Sequence, residues 1–161
     1  MSGSTDTDAP EPQPGAAPQR EQSPGTARAP QDDKRRFSVL IVERNSLLRD
    51  YLQRALRARF PFLDFSTADS EQEALRNVIA AQPDLVLTGV QLREGHGFDL
   101  VRGLRRMAVK SKIIVLSGHD LQEYRDEAHR CGADYCLDTG AVTIDDIAAL
   151  VRWAIAAARL G

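Results

Sequence analysis

The sequence predicts a doubly wound α/β fold, in which five helices cover both faces of a five-stranded parallel sheet. Short β-branched apolar runs alternate with amphipathic helical segments from residue 37 to the end of the chain. The runs are apolar at successive positions, which is typical of strands that are buried on both faces. A helical segment follows every run, and this alternation is what parallel strand pairing requires.

The first half of the folded part contains two predicted strand and helix units. Residues 37–42 form the first strand, and Asn45 is a candidate N-cap for a helix whose leucines recur at helical spacing. Pro61 marks the end of this helix, and a second strand follows at 62–67. The sequence Ser-Glu-Gln-Glu at 70–73 is a capping box that opens the second helix.

The second half repeats the alternation three more times. Its predicted elements are strands at 85–87, 112–117 and 134–138, and helices at 98–107, 121–131 and from 143 onward. In sheets of this kind, ligands bind beyond the carboxyl ends of the strands. Functional residues are therefore expected directly after each strand. No phosphate-binding glycine signature is found at these positions.

Residues 1–36 differ sharply in composition from the rest of the chain. They contain six of the eight prolines and no valine, isoleucine, leucine or aromatic residue. Such a segment buries too little apolar surface to offset the entropy lost on ordering. We therefore predict a disordered, proline-rich tail at 1–36 and a single folded domain at 37–161.

Charge and cysteine content exclude several classes of function. The chain has 21 Lys+Arg and 23 Asp+Glu, a formal net charge of -2, so binding to nucleic acid is not expected. Two cysteines are too few for a disulfide scaffold, and a single C-x4-C pair is a poor zinc signal. The start of the chain lacks an apolar signal segment, and no membrane span is predicted. We expect a cytoplasmic protein.

Several motifs, taken in order, resemble the receiver domain of bacterial two-component response regulators. The matching segments are Val-Leu-Ile-Val at 39–42, Pro-Asp-Leu-Val-Leu at 83–87, Gly-Phe-Asp-Leu at 97–100, Ile-Ile-Val-Leu-Ser-Gly at 113–118 and Gly-Ala-Asp-Tyr at 132–135. The resemblance covers the whole folded part and implies the flavodoxin-like receiver fold. It also implies a site for phosphoryl transfer to an aspartate with bound Mg²⁺.

The site residues that the resemblance implies are altered in this chain. The acidic pair after the first strand falls on Glu43 and Arg44, and the phosphoacceptor aspartate falls on Gly89, which has no side chain. The hydroxyl position is retained as Ser117, whereas the lysine position falls on Thr139. The charge of this degenerate pocket is close to zero. We therefore predict that Mg²⁺ binding is lost and that no metal or other cofactor is held.

Two further expectations concern the pocket. We expect Arg44 to supply part of the missing positive charge by pairing with Glu43 or another acid, although the side chain of Arg44 could instead point into solvent. The aromatic switch position of the family falls on Cys136, a small side chain. A catalytic or metal-binding role is not expected for His96 or His119, because each lacks the necessary partners.

A candidate partner surface lies on the last helix and fifth strand, the region that the resemblance identifies with the family's usual contact face. Trp153 lies away from the apolar stripe of the last helix, near Ala149, Ala156 and Leu160. An exposed tryptophan among small residues is typical of an interface anchor, although it could also cover the edge of the core. Tyr135, in the fifth strand, is assigned to the same surface.

The sequence thus predicts a non-enzymatic, stand-alone atypical response regulator, a pseudo-receiver that acts in phosphorelay signalling through protein contacts without aspartyl phosphorylation. A second copy of the chain is one candidate partner. Two alternatives stay open: a receiver phosphorylated on a non-standard acceptor, and a flavodoxin-like domain that binds a small molecule. DNA binding is not expected, because the chain stops at Gly161 without a reading helix.

Overall fold

The computed structural model describes residues 35–118 and 121–160, and it confirms the doubly wound fold. Five strands and five helices alternate along these ranges. The strands are β1 (Ser38–Val42), β2 (Asp64–Ala68), β3 (Leu85–Gly89), β4 (Lys112–Ser117) and β5 (Tyr135–Asp138). The helices are α1 (Ser46–Arg59), α2 (Glu71–Ala81), α3 (Gly97–Arg106), α4 (Gln122–Cys131) and α5 (Ile144–Leu160).

The sheet is parallel throughout, with the strand order β2-β1-β3-β4-β5. The chain moves from β1 to one edge and then returns past β1 to β3, so the order reverses between these two strands. Helices α1 and α5 pack on one face of the sheet, and α2, α3 and α4 pack on the other. The carboxyl ends of β1 and β3 therefore open at the position where such folds bind ligands.

The predicted caps of the first two helices are observed. Asn45 Oδ1 accepts hydrogen bonds from the N–H groups of Leu47 and Leu48, at 2.9 and 3.1 Å. Ser70 Oγ accepts from the Glu73 N–H at 3.2 Å. The Glu73 carboxylate does not return to Ser70 but accepts from the N–H of Asp69 at 3.0 Å, one residue earlier.

Strand boundaries differ from the sequence expectation by at most two residues, and the largest differences are at the start of β2 and the end of β3. β2 begins at Asp64 rather than at 62, because residues 60–63 form a turn in which the Leu63 N–H donates to the Phe60 carbonyl at 3.1 Å. Pro61 occupies the turn position that proline favours. β3 continues to Gly89 instead of ending at 87, since it pairs with β1 on one side and β4 on the other. This extension places Gly89 at the end of a strand.

The tail predicted at 1–36 lies almost wholly outside the described residues, so its disorder and the domain boundary stay predictions. None of the helices in the described ranges combines the length and hydropathy that a membrane span requires.

Candidate functional site

A pocket of about 280 Å³ lies at the carboxyl ends of β1, β3, β4 and β5. The structure brings Glu43, Arg44, Gly89 and Thr139 together in its lining, as the sequence predicts for residues that follow parallel strands. Asn45, Gln91, Gly118 and Tyr124 complete the polar and aromatic part of the wall. Ser117, at the end of β4, is buried next to this lining.

The Glu43 carboxylate occupies the space in front of Gly89. A Cβ atom built on Gly89 would lie 2.8 Å from Glu43 Oε1, closer than side-chain atoms normally approach one another. Glu43 Oε2 accepts a hydrogen bond from the Asn45 N–H at 2.9 Å, which holds the carboxylate in this position. The pocket therefore contains a carboxylate beside the end of β3, and it is supplied by the residue after β1.

The backbone around Glu43 is equally constrained. The Glu43 N–H donates to the Ala68 carbonyl at 2.9 Å, and the Glu43 carbonyl accepts from Arg49 Nη1 at 2.7 Å. These bonds fix the turn that leads from β1 into α1. The position of the carboxylate over Gly89 thus follows from the short turn and from the N-terminal end of α1.

Arg44 does not make the ion pair expected from the sequence. Its side chain is exposed at the rim of the pocket, and within the described part of the chain it has no carboxylate at ion-pair distance. The Glu43 carboxylate is bonded to backbone instead. The reason is local, since successive residues of an extended segment point in opposite directions.

Thr139 and Ser117 tie the ends of β5 and β4 together. The Thr139 N–H and Oγ1 both donate to the Ser117 carbonyl, at 2.8 and 3.1 Å. Asp138 turns away from the pocket and accepts from the Gly140 N–H at 2.9 Å. Thr139 stands where the resemblance places a lysine, and its hydroxyl thus joins the ends of two neighbouring strands.

These residues do not fit a Mg²⁺ ion. Mg²⁺ takes oxygen ligands and is usually held through carboxylates. Glu43 supplies the carboxylate of this lining, and no other acid joins it there among the described residues. The same ranges contain no group of three or more His, Cys, Asp or Glu side chains placed to hold a metal. We derive no step through a metal.

A clamp between two loops lies beside the pocket, and sequence reasoning missed it. Arg93, in the loop after β3, donates from Nε and Nη2 to both carboxylate oxygens of Asp69 at 2.8 and 3.0 Å. The two residues also share a backbone hydrogen bond of 2.8 Å. The Arg93 guanidinium lowers the pKa of Asp69, and Asp69 in turn raises the pKa of Arg93. A charged pair on two separate loops leaves no spacing pattern in the sequence.

His96 has a structural role at the start of α3. Its Nδ1 accepts from the Phe98 N–H at 3.3 Å, and its ring centroid lies 5.3 Å from that of Phe98. The imidazole thus replaces the usual N-cap side chain. His119 lies outside the described residues.

Cys136, at the predicted switch position, is half-buried in β5 and packs against the core beneath α4. Burial raises the pKa of its thiol, and it does the same for the thiol of Cys131. For both thiols the effect of burial on the pKa outweighs the opposing effect of a nearby arginine, Arg125 for Cys136 and Arg102 for Cys131. Cys136 therefore behaves as a small core residue.

The candidate partner surface is only partly as expected. Trp153 is half-buried at the edge of the core, with its ring centroid 5.0 Å from that of Tyr135 in an edge-to-face contact. Lys112 Nζ lies 5.4 Å from the Trp153 ring centroid, a cation–π contact. Tyr135 is 42% exposed. Trp153 is therefore not an exposed anchor, because Tyr135, in the edge strand β5, covers part of its ring.

The small residues named with Trp153 do lie on the surface. Ala149 and Ala156 are exposed along α5, and Leu160 is 90% exposed at its end. The Tyr135–Trp153 pair and these exposed positions therefore leave a mixed aromatic and small-residue face on this side of the molecule.

Comparisons with known proteins agree with the fold. The response regulator receiver domain model matches residues 39–151. The sensory transduction protein LytT of Bacillus cereus is 29% identical over 102 residues, which cover 63% of this chain and 41% of LytT. The regulatory protein KdpE of Escherichia coli is 30% identical over 97 residues, 60% of this chain and 42% of KdpE. The chain therefore spans less than half the length of these relatives.

A solved structure provides a third comparison. The CheY-like response regulator receiver domain protein of Methanospirillum hungatei superposes with a TM-score of 0.70 at 19% identity, covering 79% of this chain and all of that one (100%). At that identity the superposition supports the fold alone. The family match covers well over half of the sequence. The chain belongs to the response regulator receiver domain family.

Proposed function

We propose that this chain is an atypical receiver, which acts in two-component signalling through protein contacts and is not phosphorylated on an aspartate. The observation that carries the proposal is the arrangement at the end of β3. Gly89 stands at the position that the family resemblance gives to the phosphoacceptor, and the Glu43 carboxylate fills the space where an acceptor side chain would project.

Two further contacts in the pocket support the same conclusion, because the Glu43 carboxylate and the Thr139 hydroxyl are already bonded to protein. The Glu43 carboxylate accepts from backbone, and Thr139 donates to the Ser117 carbonyl. No lysine lines this pocket among the described residues, and the cation that does line it, Arg44, is an exposed side chain at the rim. A pocket whose groups satisfy one another needs no bound ion.

Other side chains near β3 are poor acceptors. Thr88 is fully buried and its hydroxyl donates to the Gly89 carbonyl at 3.0 Å. Asp84 lies at the opposite end of the strand and accepts from the Ser38 N–H at 2.9 Å. Asp138 accepts from a turn N–H. A phosphorylatable receiver with a non-standard acceptor is therefore the second candidate.

An NMR titration of the full chain tests the proposal. Amide spectra are recorded with and without Mg²⁺ and beryllofluoride, a phosphoryl mimic, with a receiver that has the aspartate as the positive control. We expect no shifts at the pocket. Saturable shifts at Glu43, Gly89, Ser117 and Thr139 would contradict an inert site. Incubation with acetyl phosphate tests the second candidate, since acid-labile phosphate on the protein would support it.

The same reasoning leads us to propose that the chain is not an enzyme and holds no resident cofactor. A flavodoxin-like small-molecule domain is the remaining alternative, and a chromophore or other compound that co-purifies with the full chain would support it. The pocket of about 280 Å³ lies slightly below the range of about 300–1,000 Å³ that is usual for small-molecule sites.

We further propose that the partners are proteins, reached through the face formed by Tyr135, Trp153 and the exposed side of α5. The nearly balanced charges, 21 basic and 23 acidic, do not favour binding to a phosphate backbone. We propose that the protein works in the cytoplasm.

Sedimentation and pull-down experiments test this surface. Ala156→Glu places a charge on the exposed side of α5, whereas Ala80→Glu, also at an exposed alanine, is the matched control on α2. We expect Ala156→Glu, and also Trp153→Ala, to change the oligomeric state or the capture of a two-component partner. If both variants behave like Ala80→Glu, the assignment of this face is wrong.

A further inference from the structure

A groove of about 730 Å³ lies at the amino-terminal edge of the sheet, on the opposite side from the strand-end pocket. It is bounded by the last turns of α2, α3 and α5 and by the segments that lead into β3 and β4. The groove and the strand-end pocket have no lining residue in common. Its role is therefore independent of the chemistry proposed for the pocket.

The groove presents apolar surface. Ile79 and Met107 line it and are 64% and 45% exposed, although both are large apolar side chains. Ala157 and Ala158, from α5, form the facing wall and leave the groove open between the helices. An occupant that covered these two side chains would remove their apolar surface from water.

The ends of α2 and α3 that border the groove share a backbone feature. Among the described residues, Gln82 and Ala108 are the non-glycine residues with left-handed φ, at 49° and 59°, and both line the groove. A residue with a Cβ atom adopts this conformation at an energetic cost that glycine avoids. Gln82 is the C-cap of α2 and Ala108 follows the C-cap of α3, so both residues end helices in the way that left-handed residues commonly do.

The charge around the groove is positive. Lys110 and Lys112 line it, and the one carboxylate in the lining, Asp84, already accepts from the first N–H of β1. Arg106 and Arg159 lie exposed in the last turns of α3 and α5, two of the helices that end here. An occupant with negative charge would complement this surface.

We propose that the groove is a docking site for a protein segment in which apolar side chains are flanked by Asp or Glu. Its apolar side chains would pack between Ile79, Met107 and the alanines of α5, and its carboxylates would face Lys110 and Lys112. The exposed rim fits a chain segment better than a small molecule, because small-molecule pockets bury most of their ligand.

Selection from a random peptide library displayed on phage, with the full chain as bait, tests this proposal. We expect the enriched peptides to combine apolar residues with Asp or Glu. In an NMR titration with the most enriched synthetic peptide, we expect saturable shifts at groove residues such as Val78, Met107 and Ala157. A basic consensus, shifts at Trp153 instead of the groove, or no enrichment would overturn the proposal.

Three variants at exposed positions provide the controls, since none of them disturbs the core. Ala158→Glu places a negative charge in the groove, Lys110→Glu reverses the charge of a lining residue, and Ala80→Glu adds a negative charge at an exposed alanine that does not line the groove. We expect the first two to weaken peptide binding by about tenfold or more and the third to leave it within about twofold.

Two further outcomes would also overturn the proposal. Equal binding to all three variants would show that the groove is not the binding site. A reversible dimer that is lost in Ala158→Glu but kept in Ala80→Glu would assign the groove to a second copy of the chain. Phosphoryl mimics do not enter this test, so it fails or succeeds separately from the proposal about the pocket.

Discussion

Restoring an aspartate at position 89 is the sharpest perturbation of the strand-end pocket. The backbone at Gly89 is not left-handed, and the atom that a Cβ would meet is Glu43 Oε1, at the end of a side chain that can rotate. The variant Gly89→Asp should therefore fold. It places a second carboxylate beside Glu43, while Gly89→Asn adds the same bulk without the charge.

The expected magnitude follows from the distance. Two carboxylates about 4 Å apart repel by about 4 kcal/mol at an effective dielectric constant of about 20. Glu43 is half-buried and can turn away from residue 89 by giving up its hydrogen bond to the Asn45 N–H. We therefore expect Gly89→Asp to lower the free energy of unfolding by about 1–2 kcal/mol more than Gly89→Asn at neutral pH.

Urea denaturation followed by the fluorescence of Trp153, the single tryptophan, measures this difference. The penalty should disappear at acid pH as the two carboxyl groups protonate, and millimolar Mg²⁺ should remove it at neutral pH by bridging them. The wild type should not respond to Mg²⁺. Equal stability of the Asp and Asn variants, with no response to Mg²⁺, would refute the placement of Glu43 over residue 89.

Two further predictions concern the scaffold. Arg105 donates to three backbone carbonyls and to Asp134. In urea denaturation, Arg105→Ala should therefore lower the free energy of unfolding by roughly 2–4 kcal/mol. The control Arg106→Ala, at an exposed position, should change it by less than about 0.5 kcal/mol. Burial raises the pKa of the Cys131 and Cys136 thiols, so iodoacetamide should label them slowly in the folded protein and fully in urea, as followed by mass spectrometry; rapid native labelling would contradict this.

The sequence was sufficient for the fold because its strong signals are local. The caps at Asn45 and Ser70 were predicted from residue type and spacing alone, and both are observed. The end of β3, at Thr88 and Gly89, was missed because the apolar run stops at Leu87 and glycine has low strand preference. Both residues are held in the sheet by pairing with β1 and β4, which the local sequence does not show.

The positions of the strand-end residues follow from the sequence, whereas the direction of the Arg44 side chain was left open between an ion pair and solvent. Position alone brings Glu43, Gly89 and Thr139 to one pocket, since parallel strands end at one edge. That Glu43 covers Gly89 while Arg44 points outward depends on a single turn and its hydrogen bond to Asn45. The burial of Trp153 could likewise not be predicted from α5 alone, because it depends on Tyr135 in β5.

The clamp between Arg93 and Asp69 leads to a measurable dependence of the free energy of unfolding on pH. Its effect is to hold the loop after β3, which in this chain leads from Gly89 to α3, against the loop after β2. A second contact supports it, since the Glu71 N–H donates to the Glu94 carbonyl at 3.0 Å. A loop that is fixed in this way fits a receiver that presents one constant surface to its partner.

The direction of the pH effect follows from the pKa shift. The Arg93 guanidinium lowers the pKa of Asp69 in the folded state, so the folded protein binds fewer protons there than the unfolded chain. The clamp's contribution is therefore present above the unfolded pKa of about 3.9 and is lost as pH falls through the lower folded value. In Arg93→Gln that contribution is absent at every pH.

Urea unfolding of the wild type and Arg93→Gln across this range measures the clamp directly. We expect their difference in unfolding free energy to be constant from neutral pH down to about pH 5 and to shrink below about pH 4. Arg54→Gln, at an exposed position on α1, should match the wild type throughout. A difference that stays the same at acid pH would mean that Arg93 stabilises the loop through packing or its backbone contacts. The ion pair with Asp69 would then not be what holds the loop after β3 in place.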